Sequence, residues 1–174
     1  MEIRQLKKDE FHKFNQIDRR EIISKIYKHR DGKLVLEDEY YDVPEWTSSM
    51  KQEFVDSFIE LDQRGGFVYG VFEDDKMVGM GTLDVKFIGK HKDLLQLAGL
   101  WVSTQYRYKG IAGKLVDHMK NKARNLGAKK LYVSATPSFN TIEFYKNRAF
   151  ILTKDLDKTL FEKEPEDIHM EIEL

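Results

Sequence analysis

The chain has no cysteine among its 174 residues, and that absence removes several classes of protein. Disulfide scaffolds, thiol nucleophiles and thiolate-bound zinc are excluded, and the absence fits a reducing compartment. A strong charge of either sign is also missing: 29 basic side chains stand against 30 acidic ones, a net −1, which speaks against nucleic acid as the main partner. No apolar run approaches the length needed to cross a bilayer, and Met1-Glu2-Ile3-Arg4 lacks the apolar core of a signal segment. These features lead us to expect a cytoplasmic protein without a membrane partner. Internal repeats and low-complexity tracts are not evident. What is present, a 41% hydrophobic fraction with 12% aromatics, argues against disorder and suffices for one domain spanning residues 1–174.

The most informative stretch runs from Leu94 to Leu126 and reads as strand, tight loop and helix. Leu94–Val102 is a nearly unbroken apolar run, which suits a strand buried on both faces. From Ile111 the apolar residues Leu115, Val116, Met119, Ala123 and Leu126 recur at helical spacing, with Lys114, Asp117, Lys120, Asn121 and Lys122 facing away, until Gly127 supplies a C-terminal cap. Between strand and helix lies Arg107-Tyr108-Lys109-Gly110-Ile111-Ala112-Gly113. Gly110 permits a positive φ and a close approach of ligand to main chain. Free amides at the helix start, the positive end of its dipole, and Arg107, Lys109 and Lys114 would together suit a large anion such as a pyrophosphate. The same residues also describe a basic turn that contains a glycine. Neither a Walker A loop nor a Rossmann fingerprint fits.

Around this unit, Met1–Leu6 reads as a first strand, and Asp9 can cap a helix bearing Phe11, Phe14 and Ile17 on one face. Ile22–His29 and Lys33–Tyr41 flank Asp31-Gly32, a hairpin signal, although Glu21–Lys28 also admits a helix. Ser49 and Gln52 resemble a capping box before a helix that uses Met50, Phe54, Val55, Phe58 and Ile59 and stops at Arg64-Gly65-Gly66. Phe67–Phe72 and Met77–Phe87 read as antiparallel strands, and Lys130–Ala135 as a further strand. Asn140 with Glu143 would cap a short helix carrying Tyr145. Phe150–Thr153 and Ile168–Leu174 read as the last two strands, separated by the charged segment 154–167. This order predicts an α+β or mixed α/β fold. The terminal strand or an exposed sheet edge would allow a homodimer.

Arg107-Tyr108-Lys109-Gly110-Ile111-Ala112 resembles the acyl-CoA pyrophosphate loop, (R/Q)xxGx(G/A), of the GNAT superfamily of N-acyltransferases, preceded as in that family by an apolar strand ending Leu100-Trp101-Val102. Downstream, Asn140-Thr141-Ile142-Glu143-Phe144-Tyr145 and Ala149-Phe150 resemble the family's asparagine, phenylalanine-tyrosine and closing glycine-phenylalanine pattern, with Ala149 where glycine is usual. The resemblance implies a twisted mixed sheet whose fourth and fifth strands splay apart to admit the acyl-CoA arm. It implies acetyl-CoA as acyl donor, no metal, and direct attack by the primary amine of a small molecule or peptide in a ternary complex; the lack of cysteine excludes an acyl-cysteine intermediate and fits this route. A non-catalytic acyl-CoA-binding regulatory domain is the alternative, and a purely structural domain would have no affinity for CoA.

Residue by residue, the resemblance assigns CoA binding to Leu100, Trp101 and Val102, to the amides of Arg107, Tyr108, Lys109, Gly110, Ile111, Ala112 and Gly113, to Lys109 and Lys114, and to Asn140 and Tyr145. Tyr145 would return a proton to the departing thiolate as general acid. Each has a plainer reading: solvated charges for the lysines, a helix cap for Asn140, core packing for Tyr145. The general base stays unassigned. Gln96 stands where many relatives carry a glutamate, and Asp84, Glu39, His91 or a water chain could serve, or the amine could arrive deprotonated. Gly99 inside the strand marks a bulge or a close ligand approach, or simple packing. Glu37-Asp38-Glu39-Tyr40-Tyr41-Asp42 either attracts a cationic acceptor or forms a solvated hairpin arm.

Overall fold

In the computed structural model, which describes residues 1–174, the apolar run at the centre of the sequence becomes the strand on which the two halves of a sheet meet. The elements are β1 (Glu2–Gln5), a 3-10 segment (Lys8–Gln16), β2 (Glu21–Arg30), β3 (Lys33–Val43), α1 (Ser48–Gln63), β4 (Phe67–Glu73), β5 (Lys76–Leu83), β6 (Leu94–Val102), a short 3-10 turn (Thr104–Tyr106), α2 (Ile111–Asn125), β7 (Lys130–Ala135), α3 (Phe139–Lys146), β8 (Ile151–Leu152), α4 (Lys158–Lys163) and β9 (Ile168–Glu173). Seven strands form one sheet in the order β1-β4-β5-β6-β7-β9-β8, while β2 and β3 make a separate hairpin. Every neighbouring pair is antiparallel except β6 and β7. The fold is thus α+β, a mostly antiparallel sheet flanked by helices. No helix is long and apolar enough to cross a membrane.

Each face of the sheet carries its own core. On one face, Ile111, Leu115, Val116, Met119 and Ala123 of α2 pack with Leu95, Leu97, Leu131, Val133 and Ala135. On the other, Phe11, Phe14, Trp46, Phe58 and Leu61 pack with Val68, Phe72, Met77 and Met80. Side chains alternate across a strand, so Leu95 and Leu97 should be followed on the α2 face by residues 99 and 101. Instead Leu100 and Val102 lie there, and Trp101 joins the opposite core. A bulge explains the switch: Thr82 pairs with Gly99 but Leu83 pairs with Leu97, which leaves Ala98 as the extra residue. The bulge read from Gly99 is present at its neighbour Ala98, and Gly99 itself is a packing glycine. A Cβ on Gly99 would lie 2.1 Å from the Trp101 ring.

Beyond the bulge, β6 also loses its other neighbour. It pairs with β7 only through Leu94, Leu95 and Gln96, after which the two strands part. They are the fourth and fifth strands of the sheet once the β2–β3 hairpin is set aside, so the splay expected from the family resemblance is present.

Several local expectations change. Lys7, not Asp9, occupies the cap of the first helical segment, which is a 3-10 helix. Thr47, not Ser49, caps α1 by accepting from the Met50 amide, and Ser138, not Asn140, caps α3 by accepting from Thr141. The strand predicted to reach Phe87 ends at Leu83, where Asp84 turns to bond Arg64. Leu126 is exposed because it is the C-cap of α2, while Gly127, at φ +90°, closes the helix with Gly127 N–H to Arg124 O and Ala128 N–H to Ala123 O. The segment 154–167 holds α4. The terminal strand is not an edge: β9 lies between β7 and β8.

The Trp101 ring is wedged among Phe14, Phe54 and Phe58, with centroids 5.1, 5.4 and 5.7 Å away, so it cannot retreat from an added methyl. Gly99→Ala is therefore expected to cost about 1–3 kcal/mol in urea unfolding. In a Trp101→Leu background the same change should cost less than half as much; equal costs in both backgrounds would disprove the steric account.

Candidate active site

The opening between β6 and β7 is bounded by unpaired main chain. Amide directions alternate along a strand, and the Ser103 amide donates to Val78 O on β5 at 2.9 Å. The amides of Leu100 and Val102 accordingly point away from β5, toward the opening. Val102 O is taken by Arg107 Nε at 3.2 Å.

Past the end of β6 the chain makes the glycine loop. Tyr108 and Gly110 both have positive φ, 60° and 79°, and Gly110 is the left-handed residue from which α2 departs. The amides of Tyr108, Lys109, Gly110, Ile111, Ala112 and Gly113 donate to no protein acceptor; the first satisfied amide is Lys114, which bonds Gly110 O at 3.1 Å. Six consecutive free amides, with alternate left-handed residues and the positive end of a helix of 15 residues, form a concave donor surface for an anion.

Arg107 itself is turned inward. Its amide donates to Thr104 O, and its guanidinium bonds Val102 O, Arg19 O at 2.9 Å and Glu21 at 3.0 Å. It latches the loop and leaves the donor surface to residues 108–113. Lys109 lies 4.8 Å from the Tyr106 ring centroid, and Tyr106 donates to Glu73. Lys114 is exposed at the start of α2, as is Tyr108 in the loop.

Across the opening, α3 presents Tyr145 to the α2-side core, against Phe144 and Phe150. Its hydroxyl bonds no protein group, yet no buried polar side-chain atom lacks a partner, so the oxygen reaches a solvent-accessible surface. Burial raises the phenol above its ordinary value, and Tyr145 stays protonated at neutral pH. Asn140 is exposed and approaches Glu21 at 3.4 Å. Ala149 has φ +65°, the left-handed geometry for which glycine is usual.

The β2–β3 hairpin spans the mouth. At one end of β2, Thr104 bonds Asp18 O and Arg20 O; farther along, Tyr27 N–H donates to Pro137 O at 2.8 Å and Ile26 bridges Ser138. The acidic patch read from residues 37–42 is largely neutralised within this hairpin. Lys28 pairs with Glu37 and Glu39, Arg30 with Glu37, and Lys25 with Asp38.

The candidate bases lie elsewhere. For Asp84, burial opposes the charge, but hydrogen bonds from Arg64 and the Lys86 amide prevail and hold the carboxyl below its ordinary value. Hydrogen bonds from Tyr41 and Lys28 do the same for Glu39. His91 is exposed in the loop before the paired end of β6. Gln96 lines an open cavity of about 290 Å³ with Arg64, Asp84, Lys86 and Asp157. One polar cluster went unread in the sequence. On the face of β7 away from α2, Ser134 Oγ lies 2.8 Å from Glu164 and 3.3 Å from Asp167, and Tyr132 bonds His169 at 2.7 Å. Its only sequence signal was a serine and a tyrosine in an otherwise apolar strand.

Residues 23–150 match the sequence profile of the acetyltransferase (GNAT) family. Among solved structures, the chain is similar to nourseothricin acetyltransferase, with a TM-score of 0.71 and 14% identity over 99% of this chain and 97% of that one. It is similar to PaiA N-acetyltransferase from Thermoplasma acidophilum in complex with coenzyme A, at 0.64 and 14% over 99% and 98%. A GNAT family acetyltransferase from Elizabethkingia anophelis with acetyl-CoA bound aligns at 0.54 and 22% over 71% and 83%. At these identities the likeness is one of fold. No curated protein sequence matches the chain.

Arg107 joins the end of β6, residue 19 and Glu21 at once, so Arg107→Ala should lower stability by about 2–3 kcal/mol. Glu21→Gln should cost less, since it removes one of three links. Urea unfolding checks both, and an unchanged midpoint for Arg107→Ala would refute the latch.

Proposed function

The chain belongs to the acetyltransferase (GNAT) family, and from that premise we propose that residues 1–174 act as one domain that transfers the acetyl group of acetyl-CoA to a primary amine of a small molecule or peptide, by direct attack in a ternary complex. The observation that carries this reading is the run of free amides at residues 108–113, set at the open ends of β6 and β7. A pyrophosphate satisfies such a surface, because several aligned amides share its charge in a site that needs no reorganisation. The names of the similar structures agree, since PaiA N-acetyltransferase was solved with coenzyme A.

The protein's own groups then divide the work. The amides of Leu100 and Val102 face the opening and would polarise a thioester carbonyl held there. Tyr145, a neutral phenol at pH 7, would supply a proton to the departing sulfur. Lys109 and Lys114 would add charge near the phosphates, and Asn140 would border the arm that runs along α3. Gln96 cannot accept a proton, and its place in the central strand is the observation that favours a non-catalytic acyl-CoA sensor.

The deciding experiment is release of free CoA thiol from acetyl-CoA with a panel of polyamines, aminoglycosides, amino acids and peptides. Amine-dependent release is expected, and Tyr145→Phe should lower kcat about 10²-fold or more while leaving acetyl-CoA binding within a few-fold. Gly110→Val should instead weaken acetyl-CoA binding, because a β-branched residue resists the left-handed φ that opens the amide surface. Binding without release for every amine would favour the sensor.

A further inference from the structure

A pyrophosphate diester carries a negative charge on each phosphate, while the start of a helix offers the equivalent of roughly half a positive charge. The amides of residues 108–113 therefore leave charge to be matched by a side chain. The arginine of the loop does not supply it. Arg107 is spent on Val102 O, Arg19 O and Glu21, and Lys109 and Lys114 stand exposed on long aliphatic stems.

A second arginine reaches the same turn from elsewhere in the chain. Gly113, the third residue of α2, has no conformational need to be glycine: it lies within a helix, where glycine is a poor former. Its need is spatial. A Cβ on Gly113 would fall inside the Arg148 guanidinium, 2.8 Å from Cζ and closer still to Nη2. The guanidinium thus occupies the place that the first carbon of any other side chain would take. Gly113 also carries the last free amide of the run, since the next, that of Lys114, is satisfied by Gly110 O. Arg148 is set beside the donor surface by direct contact with a residue that forms it.

This arginine is anchored and yet has no acceptor. The turn that carries it closes α3: Arg148 N–H and Phe150 N–H both donate to Tyr145 O, at 3.0 and 3.1 Å, and Ala149 N–H donates to Lys146 O. Its guanidinium carbon lies 5.4 Å from the Phe144 ring centroid, a cation-π contact that restrains the stem without using an N–H donor. Its one charged partner is Asp117, an exposed residue one turn farther along α2, whose carboxylate stands 3.6 Å from Nη1, beyond hydrogen-bond distance. No buried side-chain nitrogen lacks a partner, so the free N–H groups of Arg148 reach solvent. Arg4, Arg20 and Arg64 differ, each bonding a carboxylate through its guanidinium.

We infer that Arg148 binds the pyrophosphate of acetyl-CoA, its guanidinium sharing the phosphate oxygens with the amides at the start of α2. This rests on the acetyl-transfer reading above. A planar fork of donors suits two phosphate oxygens at once, and the phosphate takes up the donors that Asp117 leaves free. The assignment also accounts for Gly113, because an alanine there would push the guanidinium off the turn.

Isothermal titration calorimetry with CoA and with dephospho-CoA, which lacks the 3′-phosphate but keeps the pyrophosphate, tests the assignment without turnover. Arg148→Gln is expected to weaken both ligands about 10-fold or more, and by the same factor. Arg148→Lys, which keeps the charge and loses the fork, should recover part of the loss. Unchanged affinity in Arg148→Gln overturns the proposal. So does a loss that disappears with dephospho-CoA, since the contact would then belong to the 3′-phosphate. A merely structural arginine would weaken pantetheine, which has no phosphate, as much as CoA. Ligand-observed NMR is expected to show pantetheine bound equally by wild type and Arg148→Gln, and an equal loss for both ligands overturns the proposal. Gly113→Ala should weaken CoA as well, and should cost less than half as much in an Arg148→Ala background; equal costs in both backgrounds would refute the placement. Wild type that binds neither CoA nor dephospho-CoA would instead overturn the acetyl-CoA reading itself, and the role of Arg148 with it.

Discussion

One extra residue in β6 governs the rest of the structure. Without the bulge at Ala98, the strand would keep one parity from Leu94 to Val102, and Trp101 would enter the α2 core while Leu100 and Val102 faced the aromatic cluster. Neither would fit, because each core is close-packed around the residues it has. The bulge lets one apolar strand feed two cores of different shape. It also increases local twist, and the sheet parts from β7 at this point. Packing and site therefore have a common cause: the residue that satisfies the two cores also leaves main-chain amides facing an opening.

An unpaired stretch of main chain inside a sheet is unfavourable unless something holds it open. Glu21 is one of the links across it. Its carboxylate pairs with Arg107 on the β6 side, and Asn140 on the α3 side approaches it, so a single residue at the start of β2 ties together the two sides of the mouth. The hairpin continues the tie through Tyr27, which bonds Pro137 by its amide and Glu143 by its hydroxyl at 2.7 Å. The charges of Lys28, Arg30, Glu37 and Glu39 pair with one another within this hairpin.

What was legible in the sequence follows from the range of the interactions. The helix face of α2, its glycine cap and the loop at Gly110 are written within a few residues of one another, and local pattern suffices for them. The hairpin was readable at Asp31-Gly32, but its position over the mouth depends on contacts such as Tyr27 to Glu143, 116 residues apart, which no local period encodes. Caps at α1 and α3 were misplaced by two residues because Thr47, Ser49, Ser138 and Asn140 are all competent cap residues, and tertiary packing chooses among them. Ser134, Glu164 and Asp167 stayed hidden for a different reason. The serine sits in an apolar strand and the acids in a charged connection, and each looks ordinary until the register of β7 against β9 brings them together.

Burial acts on titratable groups on both faces of the sheet. Burial raises both Tyr145 and Asp167, but the consequences differ because the two groups start from different values. A phenol is neutral at pH 7 even at its ordinary value, and raising it only makes it a weaker acid. A carboxyl raised to about 6 stays mostly ionised at neutral pH and can accept. The sheet separates them, with Tyr145 in the α2-side core and Asp167 on the opposite face. The same desolvation thus leaves a neutral group on one face of the sheet and a mostly ionised one on the other.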